Sequence, residues 1–310
     1  KDDIESALTD ARDGREVSLD RVQLQWSPQR RRIDIAAEGL VFRNAAAEPR
    51  AAVQRADITL DASALLFGDV EIVALDMYGG AIDLQQVSQS DWTIAGEPLP
   101  PIPVGTLPET PSEWLDLIDR YLVAIMSGAG DVIDEIDLER VTLDRIRLDI
   151  KGRAGETILQ FENVSGALVR TQGDLSLSLA GQGRGEGLPA GLAVDLETTG
   201  GVGAVDVELA FADWTVAELA ARIGIAPERL SGLPADIAFS ARGTRADGLE
   251  QVSIETEAGN GALTVAGRSI PVSRIAGRLD YLKSEDALLA RFATLDAGIV
   301  RGEVRGRLDD

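Results

Sequence analysis

Carboxylates are the most numerous ionisable groups of the sequence, and their densest cluster lies at residues 131–139. Paired carboxylates can act as general acid and base, and several together can bind Ca²⁺. The spacing does not match an EF-hand loop, and Val132, Ile133 and Ile136 separate the acids. The pattern therefore favours a solvated face of a helix or strand. The acids are Asp131, Asp134, Glu135, Asp137 and Glu139.

Two further runs have the composition of anion-binding sequences. Residues 181–187 alternate glycine with polar residues, but they lack the spacing of a dinucleotide-binding loop or a P-loop, and no helix signal follows. A flexible hairpin connection is the better interpretation. The basic run Arg30-Arg31-Arg32 could contact lipid headgroups, but it follows Ser27-Pro28 between two predicted strands. That context is typical of an exposed turn.

Histidine and cysteine are both absent from the sequence, which removes most catalytic chemistry. No Ser-His-Asp triad, Cys-His pair or disulfide can form. An enzyme would have to rely on carboxylates alone, as glycoside hydrolases do. Sugar sites use aromatic stacking, however, and aromatic residues make up only 4% of the chain. We therefore predict that the protein is not an enzyme and uses no cofactor and no metal.

The net charge is −22, from 52 acidic and 30 basic residues. Such a field repels phosphate backbones and anionic membrane surfaces, so nucleic acid is not an expected partner. No run reaches the roughly 18 apolar residues of a membrane-spanning helix. Because the sequence begins at Lys1, we interpret it as a processed segment and expect membrane attachment outside it.

Strict alternation of apolar and polar residues is the main structural signal. Residues 175–179 alternate leucine with serine, and residues 205–209 alternate apolar residues with acids. One apolar and one wet face is typical of antiparallel strands. We predict a mainly β protein with a few short helices, whose elongated, twisted antiparallel sheet curls into an apolar groove. A closed β-sandwich or barrel is the alternative, because either would bury the same face.

Helix signals are few and suggest three segments. Helices are predicted at residues 2–11, 112–126 and 216–223, with a short turn at 62–67. A linker with six prolines, residues 98–111, precedes the second of them. We expect an N-terminal β segment with a leading helix at 1–97, a linker and amphipathic helix at 98–130, and a second β-groove segment at 131–310.

One sequence phrase occurs on both sides of the linker. Leu19-Asp20-Arg21-Val22 is matched by Leu138-Glu139-Arg140-Val141 and by Leu143-Asp144-Arg145-Ile146. An acid and an arginine between apolar residues break the period of two, so a bulge or strong twist is needed to keep one face apolar. The phrase predicts a curved sheet, although an ordinary amphipathic strand in an arginine-rich sequence would also produce it.

The order of these elements resembles that of AsmA-like proteins, the YhdP- and TamB-related group of large Gram-negative envelope proteins. The matching strands and turns of the first part lie at residues 17–26, 33–42, 56–61, 63–68, 70–76 and 80–84, followed by a strand at Trp92. The later part is similar to that family's repeated strands at residues 233–243, 249–254, 259–263, 272–279 and 288–292.

The resemblance implies a periplasmic segment of an inner-membrane-anchored protein in a Gram-negative bacterium. It also implies a groove whose apolar inside shields phospholipid tails between two membranes, in outer-membrane biogenesis. The predicted function is non-enzymatic lipid binding or transfer, with a phospholipid or other acyl lipid as the partner. The alternative is a structural or assembly module of the cell envelope that binds a protein partner.

The alternating apolar residues are the candidate lining of this groove. They would act collectively, each contributing about 25 cal/mol per Å² of contact with an acyl chain. Trp26, Trp92 and Trp214 are interpreted either as rim residues or as core residues. The lining residues are Val22, Leu24, Val141, Leu143, Ile146, Leu148, Leu175, Leu177, Leu179, Val194, Leu196, Val205, Val207 and Leu209.

Overall fold

A computed structural model gives the fold. It describes residues 5, 9, 16–27, 31–44, 46–67, 71–88, 91–99, 113, 115–123, 126, 138–185, 189–201, 203–215, 234–265, 268–285, 287–297 and 300–309. Strands make up 75% of these residues and helices 7%, and the strands form one mixed sheet of 17 strands that is not closed into a barrel. The prediction of a mainly β chain on an open sheet is confirmed, and the closed alternative is wrong.

The strands are numbered in chain order. The first ten are β1 (Val17–Ser18), β2 (Arg21–Ser27), β3 (Arg32–Arg43), β4 (Pro49–Asp61), β5 (Ile72–Gln86), β6 (Trp92–Ile94), β7 (Glu97–Pro98), β8 (Arg140–Lys151), β9 (Thr157–Thr171) and β10 (Asp174–Gly183). The other seven are β11 (Gly191–Thr199), β12 (Ala204–Thr215), β13 (Pro234–Thr244), β14 (Gly248–Val265), β15 (Arg268–Leu282), β16 (Ala287–Ala297) and β17 (Val300–Asp309).

The chain divides into two compact units. Unit 1 contains residues 1–104 and 127–181, and unit 2 contains residues 105–126 and 182–310. The boundaries of these units differ from those of the segments predicted from the sequence. The physical reason is that β8 and β9 hydrogen-bond to the N-terminal strands, so they belong with them in one unit.

In unit 1, the strands β2 to β5 form an antiparallel meander, and β1 continues the line of β2 along β3. Strand β8 then pairs in parallel with β5, and β9 is antiparallel to β8. The all-antiparallel prediction is therefore wrong for this one pair. A connection of about 50 residues separates β5 from β8, long enough to return the chain to the end where β5 begins. The small strands β6 and β7 follow the end of β5 as a hairpin.

In unit 2, the strands β11 to β17 form a regular antiparallel meander, with each strand paired to the next. Left-handed glycines occupy two of its turns, Gly200 and Gly201 after β11 and Gly248 at the start of β14. Such backbone favours glycine because it has no Cβ. Among the described pairings, β17 is bonded on one side only, as β2 is in unit 1.

Two helical segments accompany the strands. The short helix Ala62–Phe67 begins where the Asp61 carboxylate accepts hydrogen bonds from the backbone N–H groups of Ser63 and Ala64, at 2.6 and 3.2 Å. Hydrogen bonds, first from the Ser63 hydroxyl and then from these N–H groups, hold the pKa of Asp61 below its ordinary value. The second segment is helical at residues 113, 115–123 and 126, which confirms the predicted 112–126 helix over those residues.

The second helix packs against the turn between β13 and β14 in unit 2. Leu122 and Met126 are each 2% exposed, and the Asp119 carboxylate accepts a hydrogen bond from the backbone N–H of Leu249 at 2.5 Å. Of the predicted 2–11 helix only residues 5 and 9 are described, and both are helical. The predicted 216–223 helix lies outside the described residues. Where the structure describes the chain, no helix has the length and apolarity needed to cross a membrane.

Candidate functional site: an apolar sheet face

Unit 1 presents rows of apolar side chains on one face of its sheet. Residues opposite each other on neighbouring strands share a face, as do alternate residues along a strand. One row therefore crosses six strands without a polar residue. Its members are Leu24, Ile35, Ile58, Leu75, Val141 and Leu168.

A second row of unit 1 is packed more tightly. It contains Leu40, Val53, Gly80, Ile146 and Val164. Leu40 and Val53 belong to a buried cluster with Val17, Leu19 and Ala56. The face is therefore buried around this row and more open toward the row that contains Leu24.

Unit 2 repeats the arrangement on its own strands. One row runs through Val194, Leu209, Phe239, Ile254, Leu279 and Ala290. The next runs through Leu196, Val207, Ala241, Val252, Tyr281 and Leu288. Ile254 and Leu279 remain 42% and 41% exposed, so the described residues cover this face only in part.

All fourteen predicted lining residues lie on these two apolar faces. Leu175, Leu177 and Leu179 are placed by β10, because a Cβ on Gly181 would meet the Val164 side chain at 2.9 Å, which puts alternate residues of β10 on the apolar face. Ile146, Leu175 and Val205 are buried, Leu24 is exposed, and the other ten are half-buried. The predicted residues are thus brought together within each unit.

Sequence reasoning missed about as many lining residues as it named. Ile58, Leu75 and Leu168 continue the rows of unit 1, and Phe239 and Ile254 continue those of unit 2. Alternation marked most of these strands, but it could not fix which alternating set faces the same side as the set on a neighbouring strand. That choice depends on pairing register.

The opposite face of unit 1 is charged and internally paired. Asp83 and Asp149 lie directly opposite each other on β5 and β8 and are only 8% and 6% exposed. Lys151 Nζ lies 2.5 Å from an oxygen of Asp83, and Arg147 Nε lies 3.1 Å from an oxygen of Asp149. Gln160 also donates to Asp149, at 2.6 Å. These partners offset the repulsion between the two acids, so this face needs no ligand for its charges.

The polar face of unit 2 contains a buried carboxylate of the same kind. Asp280 is 3% exposed and accepts hydrogen bonds from Ser253 Oγ at 2.5 Å, Arg278 Nε at 2.9 Å and Arg291 Nε at 2.8 Å. Burial by itself raises the pKa of Asp280, but the bonds from Ser253, Arg291 and Arg278 outweigh it, and the pKa lies below its ordinary value. The ionised form therefore stabilises the fold.

Asp280→Asn is expected to lower the free energy of unfolding by about 2 kcal/mol at neutral pH, because charge-assisted bonds to two arginines are lost. A lowered pKa contributes stability above the ordinary value of about 3.9 and loses it as the pH falls through the folded-state pKa. The difference between variant and wild type should thus shrink at acid pH. Urea unfolding between pH 7 and pH 3 measures this difference.

Asp206→Asn is the control for this prediction. Asp206 and Arg242 are 47% and 58% exposed, so their pair should contribute under about 1 kcal/mol.

A transverse line of left-handed residues keeps the face of unit 1 apolar. Gly39 on β3, Gly79 on β5, Arg145 on β8 and Asn163 on β9 have φ angles of 65°, 61°, 54° and 51°. Each lies between apolar-face residues that are three positions apart, not two. Between β8 and β9 the pairing register shifts, so the extra residue there is a bulge, whereas β3, β4 and β5 stay in register through Gly39 and Gly79. In each strand the alternation shifts, so that apolar residues on both sides of the line point the same way. The bulge predicted from Leu143-Asp144-Arg145-Ile146 is confirmed at Arg145.

Arg145 adopts this left-handed conformation with a Cβ, which costs about 1 kcal/mol relative to glycine. Its side chain is 71% exposed and, within the described ranges, its ion pair is with the neighbouring Asp144, at 3.1 Å, so little packing is lost when it is removed. We expect Arg145→Gly to leave unit 1 as stable or up to about 1 kcal/mol more stable. Thermal unfolding measures the change. A loss above about 1 kcal/mol would mean that the guanidinium itself supports the bulge.

The other candidate groups do not assemble a second site among the described residues. Of the acidic cluster only Glu139 is described, and it forms an ion pair with Arg32 at 3.1 Å. No group of three or more acids in the described ranges could hold a metal ion. The end of the glycine-rich run, residues 186 and 187, lies outside them.

The tryptophans divide between core and surface. Trp214 is 8% exposed and its ring lies 5.0 Å from that of Phe211, so it is a core residue. Trp92 is half-buried, whereas Trp26 is 55% exposed on the apolar face of unit 1. The rim interpretation fits only the position of Trp26.

Together the fold and the site define a class of protein: an open β-sheet on which each unit has one apolar face, covered only in part by the described residues, and one charged face. No protein-family model and no curated protein matches the chain.

Proposed function

We propose that the chain is a non-enzymatic lipid-binding or lipid-transfer segment whose apolar sheet face holds the acyl chains of phospholipids. The observation that supports this most directly is the rows of apolar side chains that cross successive strands of an open sheet. An apolar face of this kind is normally covered by helices, a second sheet or a ligand. The described helices are too short to cover it.

The dimensions of the face suit a lipid tail. Neighbouring strands are about 4.8 Å apart, so a row across six strands extends about 24 Å. One leaflet of a bilayer has a hydrocarbon depth of about 15 Å, which a tail lying across about four strands would match. Each methylene removed from water contributes about 0.8 kcal/mol, and about half of that where one side stays open. The phosphate headgroup would stay in solvent at the border of the sheet.

The cellular setting is proposed from the sequence resemblance to AsmA-like envelope proteins. In that setting the chain is the periplasmic part of an inner-membrane-anchored protein of a Gram-negative bacterium, and carries phospholipid for outer-membrane biogenesis. The net charge of −22 favours release of anionic lipid over its retention.

Native mass spectrometry of the purified chain, with lipid extraction from the same sample, tests the proposal. We expect stoichiometric phospholipid, enriched over a matched acidic control protein from the same host. A lipid-free mass that persists after incubation with phospholipid vesicles would contradict lipid binding. It would instead favour a structural or assembly module whose apolar face is covered by a protein partner.

A further inference from the structure

The edge strand of unit 1 exposes two large apolar side chains next to each other. Leu24 is 64% exposed and Trp26 is 55% exposed, and both lie on β2 two residues apart. Their cross-strand partners are Ile35 and Ile33, so the pair continues the apolar face to the border of the unit. In water such exposure is unfavourable, and contiguous apolar patches on a surface commonly mark a site of interaction.

Arginines lie at the same end of these strands. Ser27, the residue after Trp26, pairs with Arg32, and Arg31 directly precedes β3. The Arg31 backbone is fixed, because its carbonyl accepts a hydrogen bond from the N–H of Ala62 at 2.9 Å, and Arg31 is exposed with a left-handed φ of 52°. Arg32 is held by Glu139 at 3.1 Å. Arg31 is therefore an exposed arginine at the strand end that follows Trp26.

We propose that Leu24, Trp26 and Arg31 form a lip that docks at the surface of a phospholipid bilayer and admits acyl chains to the apolar face. The inference rests on the proposed function. Tryptophan is favoured at the boundary between hydrocarbon and headgroups, and a guanidinium binds the phosphate of a headgroup. Both residue types are present here at one border of the apolar face.

The net charge of the whole chain determines which kind of bilayer surface the lip favours. A net charge of −22 repels an anionic surface over the range of a Debye length, about 8 Å at physiological salt. A zwitterionic surface offers phosphates without that repulsion. The lip therefore fits phosphatidylcholine or phosphatidylethanolamine surfaces better than surfaces rich in anionic lipid.

Flotation of the whole chain with phosphatidylcholine vesicles tests the lip. The Leu24→Ser, Trp26→Ser double variant should float at least about tenfold less than the wild type, because two large side chains lose their apolar insertion. Arg31→Gln should lose a few-fold, and addition of anionic lipid should weaken binding of the wild type. Val87→Ser is the matched control, since Val87 is 56% exposed but lies outside β2, and it should float like the wild type.

A second measurement separates this inference from the proposed function. Binding of a short-chain phospholipid, below the concentration at which it forms micelles, reports on the apolar face without a bilayer. Leu24 also belongs to the apolar face, so the double variant should lose some binding of the monomer; if it loses much more of its flotation than of its monomer binding, the lip is supported. If it floats like the wild type, or the wild type does not float, the lip is wrong. If the wild type floats but binds no monomer, the proposed function fails, and of the inference only docking at the bilayer stands. If flotation is lost only when the protein concentration is high, a second copy of the chain covers the lip, and the inference is overturned.

Discussion

Leu177→Asp and Val207→Asp should each reduce capture of phospholipid by about tenfold or more, while the protein stays folded. Both side chains are half-buried on the apolar faces of their units. A carboxylate there keeps part of its water as long as no tail is bound, but a bound tail would remove that water at a cost of several kcal/mol. Binding of a tail-labelled phospholipid gives the capture, and circular dichroism with urea unfolding gives the fold.

Ser178→Asp is the matched control for this prediction. Ser178 adjoins Leu177 on β10, but it is exposed on the opposite face, so the same added charge should leave lipid capture unchanged. If Leu177→Asp and Val207→Asp simply unfold the protein, these positions belong to a closed core. If both bind lipid normally, the tails do not lie on this face.

Gly80→Ala should destabilise unit 1 by about 3 kcal/mol, a size typical of backbone that cannot accept a side chain. Gly80 has a φ of 116°, and a Cβ added there would overlap the backbone carbonyl oxygen of Ala52 on the paired strand β4. Because backbone atoms must move, the β4–β5 pairing next to the line of left-handed residues would open. Thermal and urea unfolding, with hydrogen exchange over β4 and β5, measure the loss.

Gly155→Ala separates the steric effect from the conformational one. Gly155 also has positive φ, at 82°, but a Cβ there meets no atom within 4 Å. Its substitution should therefore cost only about 1 kcal/mol, the penalty of left-handed backbone. Equal losses at Gly80 and Gly155 would show that contact with Ala52 is not what constrains β5.

Much of the fold follows from short-range patterns in the sequence. Leu175, Leu177 and Leu179 alternate with serines, and the structure makes them one face of β10. The interruption at Asp144-Arg145 predicts a bulge, and the register of β8 against β9 shifts there. Such features are local, since the period of two and its interruption are properties of a single strand.

The remaining features depend on residues far apart in the chain. Nothing in the sequences of β5 and β8 specifies that Leu75 lies beside Val141 in a parallel pair. Gly39 and Gly79 are visible as glycines, but their alignment with Arg145 depends on the pairing of several strands. For the same reason the sequence offered Trp26 as a rim residue and the run containing Arg31 as a headgroup contact, but it could not place the two at one border. Trp26 and Arg31 are individually ordinary, and only the edge position of β2 leaves them exposed together.

The meander of unit 2 has a consequence for how such a sheet responds to stress and to change in length. In the pairings that the structure describes, each of its strands bonds to the strand before and the strand after it, so its stability is approximately a sum of nearest-neighbour terms, as in repeat proteins. Local unfolding can then begin at β17 and stop at any hairpin, while β11 and β12 stay paired. For the same reason, hairpins can be added or deleted one at a time, so evolution can change the width of the sheet in steps of two strands.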